Sequence, residues 1–181
     1  MRRTRLLVAI VLIALAAAYA VTRHDAGASS AGGGDQRIGD LLPSIGRQAP
    51  PLVARTVTGE TVDLRDLHGR PVWVTFGASW CPPCRAEAPD IEATAAAHAN
   101  DGLVVVAVYL GEDADAVSGF AERLGLDYAS VPDPDRLLGA LYGVHGLPSH
   151  YFIAPDGTLA SASLSSLSRD QMEAQVAALA G

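Results

Sequence analysis

From Pro51 onward the chain alternates short apolar runs with longer mixed stretches. "PVWVTF" (71–76) and "LVVVAVYL" (103–110) are apolar without a break and rich in β-branched and aromatic residues. That is the pattern of strands covered on both faces. "LVARTV" and "TVDL" flank Thr58-Gly59-Glu60 and predict an N-terminal β-hairpin. Ala and Glu dominate from Pro82 to about Ala99, which predicts a helix. Val117, Phe120 and Leu124 recur at i, i+3 and i+7 ahead of Gly125, an amphipathic helix with its stop signal. A short helix is expected over Asp135–Tyr142, ending at Gly143. "HYFI" (150–153) and "TLASAS" (158–163) are joined by Pro155-Asp156-Gly157, a turn sequence. Ser168 and Gln171 form a capping box for a last helix, with Met172, Val176 and Leu179 on one face. The order is β-β, then βα, βα, a short βα, a β-hairpin and a helix, which implies an α/β sandwich.

The first 25 residues stand apart. Arg2, Arg3 and Arg5 precede an uncharged run from Leu6 to Val21, a charge bias that keeps the N-terminus in the cytoplasm and exports the remainder of the chain. The run is slightly short for a spanning helix and slightly long for a signal-peptide core. Arg23 and the "GASSAGGG" stretch after it favour an anchor with a flexible linker over 26–45, leaving a domain from 46 to 181. Cleavage after Ala18-Tyr19-Ala20 is the alternative. Either way the domain lies outside the cytoplasm, on the extracytoplasmic face of the membrane or secreted.

Composition narrows the function. The chain has 181 residues, enough for one domain that folds without crosslinks. Beyond residue 25 there are nine arginines against nineteen acids and no basic stripe, so nucleic acid is not an expected partner. There are two cysteines, Cys81 and Cys84, in "FGASWCPPCRAEAP". Outside the cytoplasm a disulfide would persist. Closing a two-residue gap, however, removes little chain entropy, so the pair is a poor staple.

A Cys-x-x-Cys where a buried strand turns into a helix is a redox pattern. Cys81 falls at the helix N-terminus, where the dipole and free N–H groups favour the attacking thiolate. Cys84, one turn on, can resolve a mixed disulfide. Pro82 and Pro83 take the first helical positions, where a missing N–H costs no helix bond. Trp80 offers a flat apolar wall, and Pro89 interrupts the helix ladder. Glu87 lies three residues past Cys84 on the same face, and the strand Pro71–Trp80 holds no acid or base. Glu87 is therefore the candidate to accept the Cys84 proton, with a solvated helix glutamate as the alternative.

The segment "TVTGETVDLRDLHGRPVWVTFGASWCPPCRAEAP" with "GVHGLPSHYFIAPDGTL" resembles the TlpA/ResA-like thiol–disulfide oxidoreductases of the thioredoxin fold, over roughly residues 46 to 181. The resemblance implies a thioredoxin-like fold: a central mixed sheet flanked by helices, with an N-terminal β-hairpin and an inserted αβ unit between Cys84 and Pro148. It implies a redox-active Cys81–Cys84 disulfide and a cis Pro148 facing it, with Glu87 and Pro89 matching family positions. It implies no cofactor, disulfide-bearing exported proteins as substrates, and a membrane thiol electron donor. Some members of the family serve cytochrome c maturation. Ser149 stands where threonine is common, and His145 and His150 carry no family role, so they are expected to be a loop histidine and a strand-end histidine.

Two rivals remain open. Cys81, Cys84, His145 and His150 offer two thiolates and two imidazoles, a set copper or zinc accepts, although metal-binding relatives space their cysteines by three. A thiol peroxidase would carry threonine or serine three residues before its reactive cysteine, where this chain has Ala78. The direction of exchange is read from the prolines. With no N–H on Pro82 or Pro83, the Cys81 thiolate has few donors, which favours the disulfide form and makes the pair a reductant. Arg85 after the motif excludes a haem-attachment site.

Overall fold

The computed structural model describes residues 43–180, so the anchor or signal over 1–25 and most of the linker lie outside the described residues. Strands β1 (Val53–Arg55) and β2 (Thr61–Asp63) form the antiparallel hairpin, with Gly59 at φ +87° in its turn. β3 (Val72–Gly77), β4 (Val104–Leu110), β5 (Ala129–Asp133), β6 (Ser149–Ile153) and β7 (Leu159–Ser163) form one sheet in the order β5-β4-β3-β6-β7. β3 runs parallel to β4, and β4 to β5, while β6 and β7 pair antiparallel, so the sheet is mixed. Helices α1 (Pro82–Ala97), α2 (Ala114–Leu124), α3 (Leu137–Leu141) and α4 (Arg169–Ala177) connect or follow the strands. The α2–β5 unit lies between Cys84 and Pro148, as expected.

Strand parity divides the core. Val72, Val74 and Phe76 of β3 join Val106, Val108, Tyr151 and Ile153 in one cluster, to which Leu52 and the β1–β2 region add their apolar residues. On the other face Trp73, Val105 and Phe152 pack with Ile91 of α1 and Met172, Val176 and Leu179 of the C-terminal segment. Alongside, Ala107 and Tyr109 meet Ala88 of α1 and Val117 and Phe120 of α2. The expected apolar stripe of α2 is shorter than its spacing suggests: Leu124 is exposed, and Ala121 takes its place in the core. Leu124 is the last residue before the left-handed Gly125 cap, past the point where the helix rests on the sheet.

The expected caps are present at Gly125, left-handed at the end of α2, and at Ser168 ahead of α4. Ser168 and Gln171 complete the capping box of α4. α3 is shorter than expected, and its N-cap residue Arg136, at φ +57°, makes no side-chain capping hydrogen bond. Instead, the buried Asp133 carboxylate at the end of β5 accepts from the N–H groups of Leu138 and Gly139.

Candidate active site

β3 ends at Gly77 and α1 begins at Pro82, so the cysteines sit where a strand buried on both faces hands over to a helix. Cys81 is the N-cap of α1 and Pro82 and Pro83 fill its first turn. Cys81 and Cys84 are joined as a disulfide, 4% and 9% exposed. Cys84 N–H donates to Cys81 Sγ at 3.4 Å. Gly77 lies directly against Cys84, near enough that a Cβ there would be in van der Waals contact with its side chain.

Trp80 stands 58% exposed beside the pair. With Cys81, Leu110, Arg136, His145 and Leu147 it lines a groove of about 440 Å³. The Leu147–Pro148 peptide is cis, and Leu147 packs against the cysteine cluster. Pro148 and Ser149 are buried, and Ser149 Oγ–H donates to Gly146 O, closing the loop ahead of β6. His145 is exposed on that loop. Pro89 lies within α1 with the helix continuing past it.

Glu87 is not a solvated helix glutamate. It is 5% exposed, and with Cys84 it lines a small cavity of about 20 Å³ whose other walls include Thr75, Tyr109 and Tyr128. Its Oε2 accepts from Leu167 N–H at 3.3 Å, and its Oε1 lies 3.3 Å from His150 Nε2. Tyr109 and Tyr128 meet hydroxyl to hydroxyl at 3.3 Å, and burial raises the titration of both above the ordinary phenol value, that of Tyr128 far above it. Both hydroxyls remain neutral at physiological pH.

Two residues of this region have partners that sequence reasoning does not find, one of them His150, expected as a strand-end histidine and placed near the start of β6. His150 is fully buried on β6, where its Nδ1 accepts from Trp73 Nε1–H at 3.3 Å. The available signal was that "HYFI" is apolar on both faces, so its first residue had to be enclosed too. The second is Glu112, just past β4, whose buried carboxylate accepts from Ser79 N–H at 2.7 Å and from Ser79 Oγ–H. It ties the segment carrying Trp80 and Cys81 to the neighbouring strand. No local pattern marks it, because the contact depends on β3 and β4 being parallel neighbours.

The four residues of the metal alternative are not brought together: His150 faces Glu87 and Trp73, while His145 lies with Cys81 on the groove. Among the described residues no group of three or more His, Cys, Asp or Glu converges as a metal site would require. Nor is any helix among them long and apolar enough to cross a membrane.

The AhpC/TSA family model matches residues 45–162. The thiol-disulfide oxidoreductase ResA of Oceanobacillus iheyensis is 31% identical over 137 residues, 76% of this chain and 70% of its own. The soluble secreted antigen MPT53 of Mycobacterium tuberculosis is 32% identical over 130 residues, 71% of this chain and 74% of its own. A thioredoxin-family thiol:disulfide interchange protein from Chlorobium tepidum superposes with a TM-score of 0.69 at 25% identity, covering 77% of this chain and 100% of that one. A close cysteine pair at a helix start, on a thioredoxin-like sheet, agrees with these relatives. The chain belongs to the AhpC/TSA family, and within it to the ResA-like thiol–disulfide oxidoreductases.

Proposed function

We propose that this oxidoreductase runs as a reductant of disulfide-bearing proteins outside the cytoplasm of a bacterium. Its N-terminal segment holds it to the membrane, or releases it if cleaved after Ala20, and a membrane thiol protein re-reduces the pair. Apocytochromes c, whose haem-binding cysteines must be reduced before haem attachment, are one class of target. The word "secreted" in the name of MPT53 and the apolar N-terminal run support the location.

The carrying observation is the hydrogen bonding at Cys81. Cys84 N–H reaches its sulfur at 3.4 Å, while the two residues between are prolines without an N–H to give. A thiolate with few donors is weakly stabilised relative to the disulfide, and the dithiol gives up its electrons readily.

In the proposed cycle the Cys81 thiolate attacks a substrate disulfide, and one substrate sulfur leaves as a thiolate that takes a proton from solvent. Cys84 then loses its proton to Glu87 and attacks Cys81 Sγ. The Cys81–Cys84 disulfide forms as the bond from Cys81 to the substrate breaks, and the substrate's second sulfur leaves with that electron pair. Two electrons pass from the pair to the substrate. The cavity shared by Cys84 and Glu87 has room for one water to carry the proton, with Thr75 and the neutral tyrosines as further partners. Trp80 and the cis-Pro148 loop flank the groove in which the substrate chain lies.

Trapping tests this reading. Cys84→Ser, which cannot resolve, is expected to accumulate mixed disulfides through Cys81 with extracytoplasmic proteins, identifiable by mass spectrometry. Absence of covalent partners in that variant, with Cys81 reactive to a small disulfide, would refute the protein-reductase reading.

A further inference from the structure

His150 has a buried role of its own. An indole N–H can only donate, so Trp73 Nε1–H at 3.3 Å requires a lone pair on His150 Nδ1. The ring's proton is then on Nε2, the nitrogen 3.3 Å from Glu87 Oε1. An imidazolium would set two N–H groups against each other at Trp73. Thus Glu87 and His150 are a carboxylate facing a neutral donor rather than a salt bridge. The 3.3 Å approach falls short of hydrogen-bond geometry, so Nε2 is a buried donor with no hydrogen-bond partner among the described residues, and Glu87 Oε1 is the acceptor beside it.

Parity explains how the three meet. In the β3–β6 register Thr75 pairs with His150 and Trp73 with Phe152, which puts Trp73, Thr75, His150 and Phe152 on the face that α1 covers. Glu87 faces them from α1. The other titratable groups around the carboxylate are Cys84 on the same helix, Tyr109 of β4 and Tyr128 ahead of β5, the tyrosines both neutral. α2 adds Phe120 to this wall, and the loop before α4 gives the Leu167 N–H. Among the described residues no arginine borders the cavity; Leu167 N–H donates to Glu87 Oε2, and His150 Nε2–H stands 3.3 Å from Oε1.

We propose that His150, fixed as the Nε2–H tautomer by Trp73, is the positioning residue for Glu87: it holds the buried carboxylate as an acceptor turned toward Cys84. The inference rests on the reading of Glu87 as the group that takes the Cys84 proton. The proton moves from Cys84 Sγ to Glu87, and His150 keeps its own proton throughout. Without this donor the carboxylate holds its charge less well in an apolar site, and it accepts a proton from solvent before Cys84 can use it.

The test is a single-turnover reaction of the reduced protein with 5,5′-dithiobis(2-nitrobenzoate). The first thionitrobenzoate leaves when Cys81 attacks, and the second leaves when Cys84 attacks the mixed disulfide. For His150→Leu the second phase is expected to slow about fivefold on the acid side of its pH profile. The acid limb moves to higher pH, and the first phase is unchanged. His150→Gln, which returns an N–H in place of Nε2, is expected to restore the limb to within about twofold. Glu87→Gln is expected to slow the second phase at every pH. If Glu87→Gln does so while His150→Leu keeps the wild-type limb, the positioning role is wrong and the reading of Glu87 stands. If Glu87→Gln leaves the second phase intact, that reading fails and takes this inference with it. Should the leucine variant not fold, nitrogen NMR of the wild-type ring decides. The neutral Nε2–H pattern is expected at neutral pH, and the opposite tautomer or an imidazolium there overturns the proposal.

Discussion

Replacing Glu112 with alanine removes the acceptor that fixes the segment presenting Cys81. Glu112 is 8% exposed and takes both the N–H (2.7 Å) and the Oγ–H of Ser79. A hydrogen bond to a charged group contributes about 1.5–3 kcal/mol, and Ser79 is only half-buried, so the lower end applies to each. Two such bonds give an expected loss of about 3 kcal/mol, a large share of the roughly 5–15 kcal/mol that holds a domain together. In urea unfolding of the oxidised protein, with a slope near about 2 kcal/mol/M, the midpoint drops by about 1.5 M. Glu112→Gln keeps an acceptor for the N–H and is expected to lose about half as much. Ser79→Ala combined with Glu112→Ala is expected to cost less than the sum of the two, because both delete the same bond. A Glu112→Ala midpoint within about 0.3 M of wild type would refute this account of how the segment is held.

Three further outcomes concern other parts of the molecule. His98 titrates above its ordinary 6.5 because Glu173 and then Asp101 accept from its ring, and Glu173 titrates below its ordinary 4.5 chiefly because of His98. The histidine's contribution is full below 6.5 and fades as pH rises through its raised value, while that of Glu173 is full above 4.5 and fades as pH falls through its lowered value. The stability difference between wild type and His98→Gln is therefore largest between those limits and shrinks as pH rises through the histidine's raised value. Partial exposure keeps it below about 1 kcal/mol, and a difference that grows with rising pH would contradict the sign. Met172→Ala empties a fully buried site among Trp73, Phe152 and Val176, and denaturant unfolding is expected to show a loss of about 2–4 kcal/mol. Trp80→Ala, at an exposed ring on the groove, is expected to lower kcat/KM for a disulfide-bearing protein about tenfold and to leave the reaction with a small aromatic disulfide within about twofold.

The buried strands were legible because β3 and β4 are unbroken apolar runs, which only a sheet covered on both faces accommodates. The start of α1 was legible from Cys81 and two prolines, and that of α4 from Ser168 and Gln171, because caps are local chemistry. Glu87 could be ranked from its spacing to Cys84, but its burial could not, since that depends on the Leu167 loop and on β6 arriving from elsewhere in the chain. His150 was hidden for the same reason. Its partners Trp73 and Glu87 are 77 residues away in one case and on a different element in the other, joined only through the β3–β6 register. Leu124 misled because helical spacing marks a face without marking where that face runs off the sheet.

The proposal that this pair gives electrons rather than takes them is tested most directly by its reduction potential. Equilibrating Cys81–Cys84 against dithiothreitol or glutathione buffers, with the disulfide fraction read by mass after thiol alkylation, yields that value. The hydrogen bonding at Cys81 predicts a potential below about −200 mV, on the reducing side of the disulfide isomerases. A value above about −180 mV, among isomerases and oxidants, would contradict it.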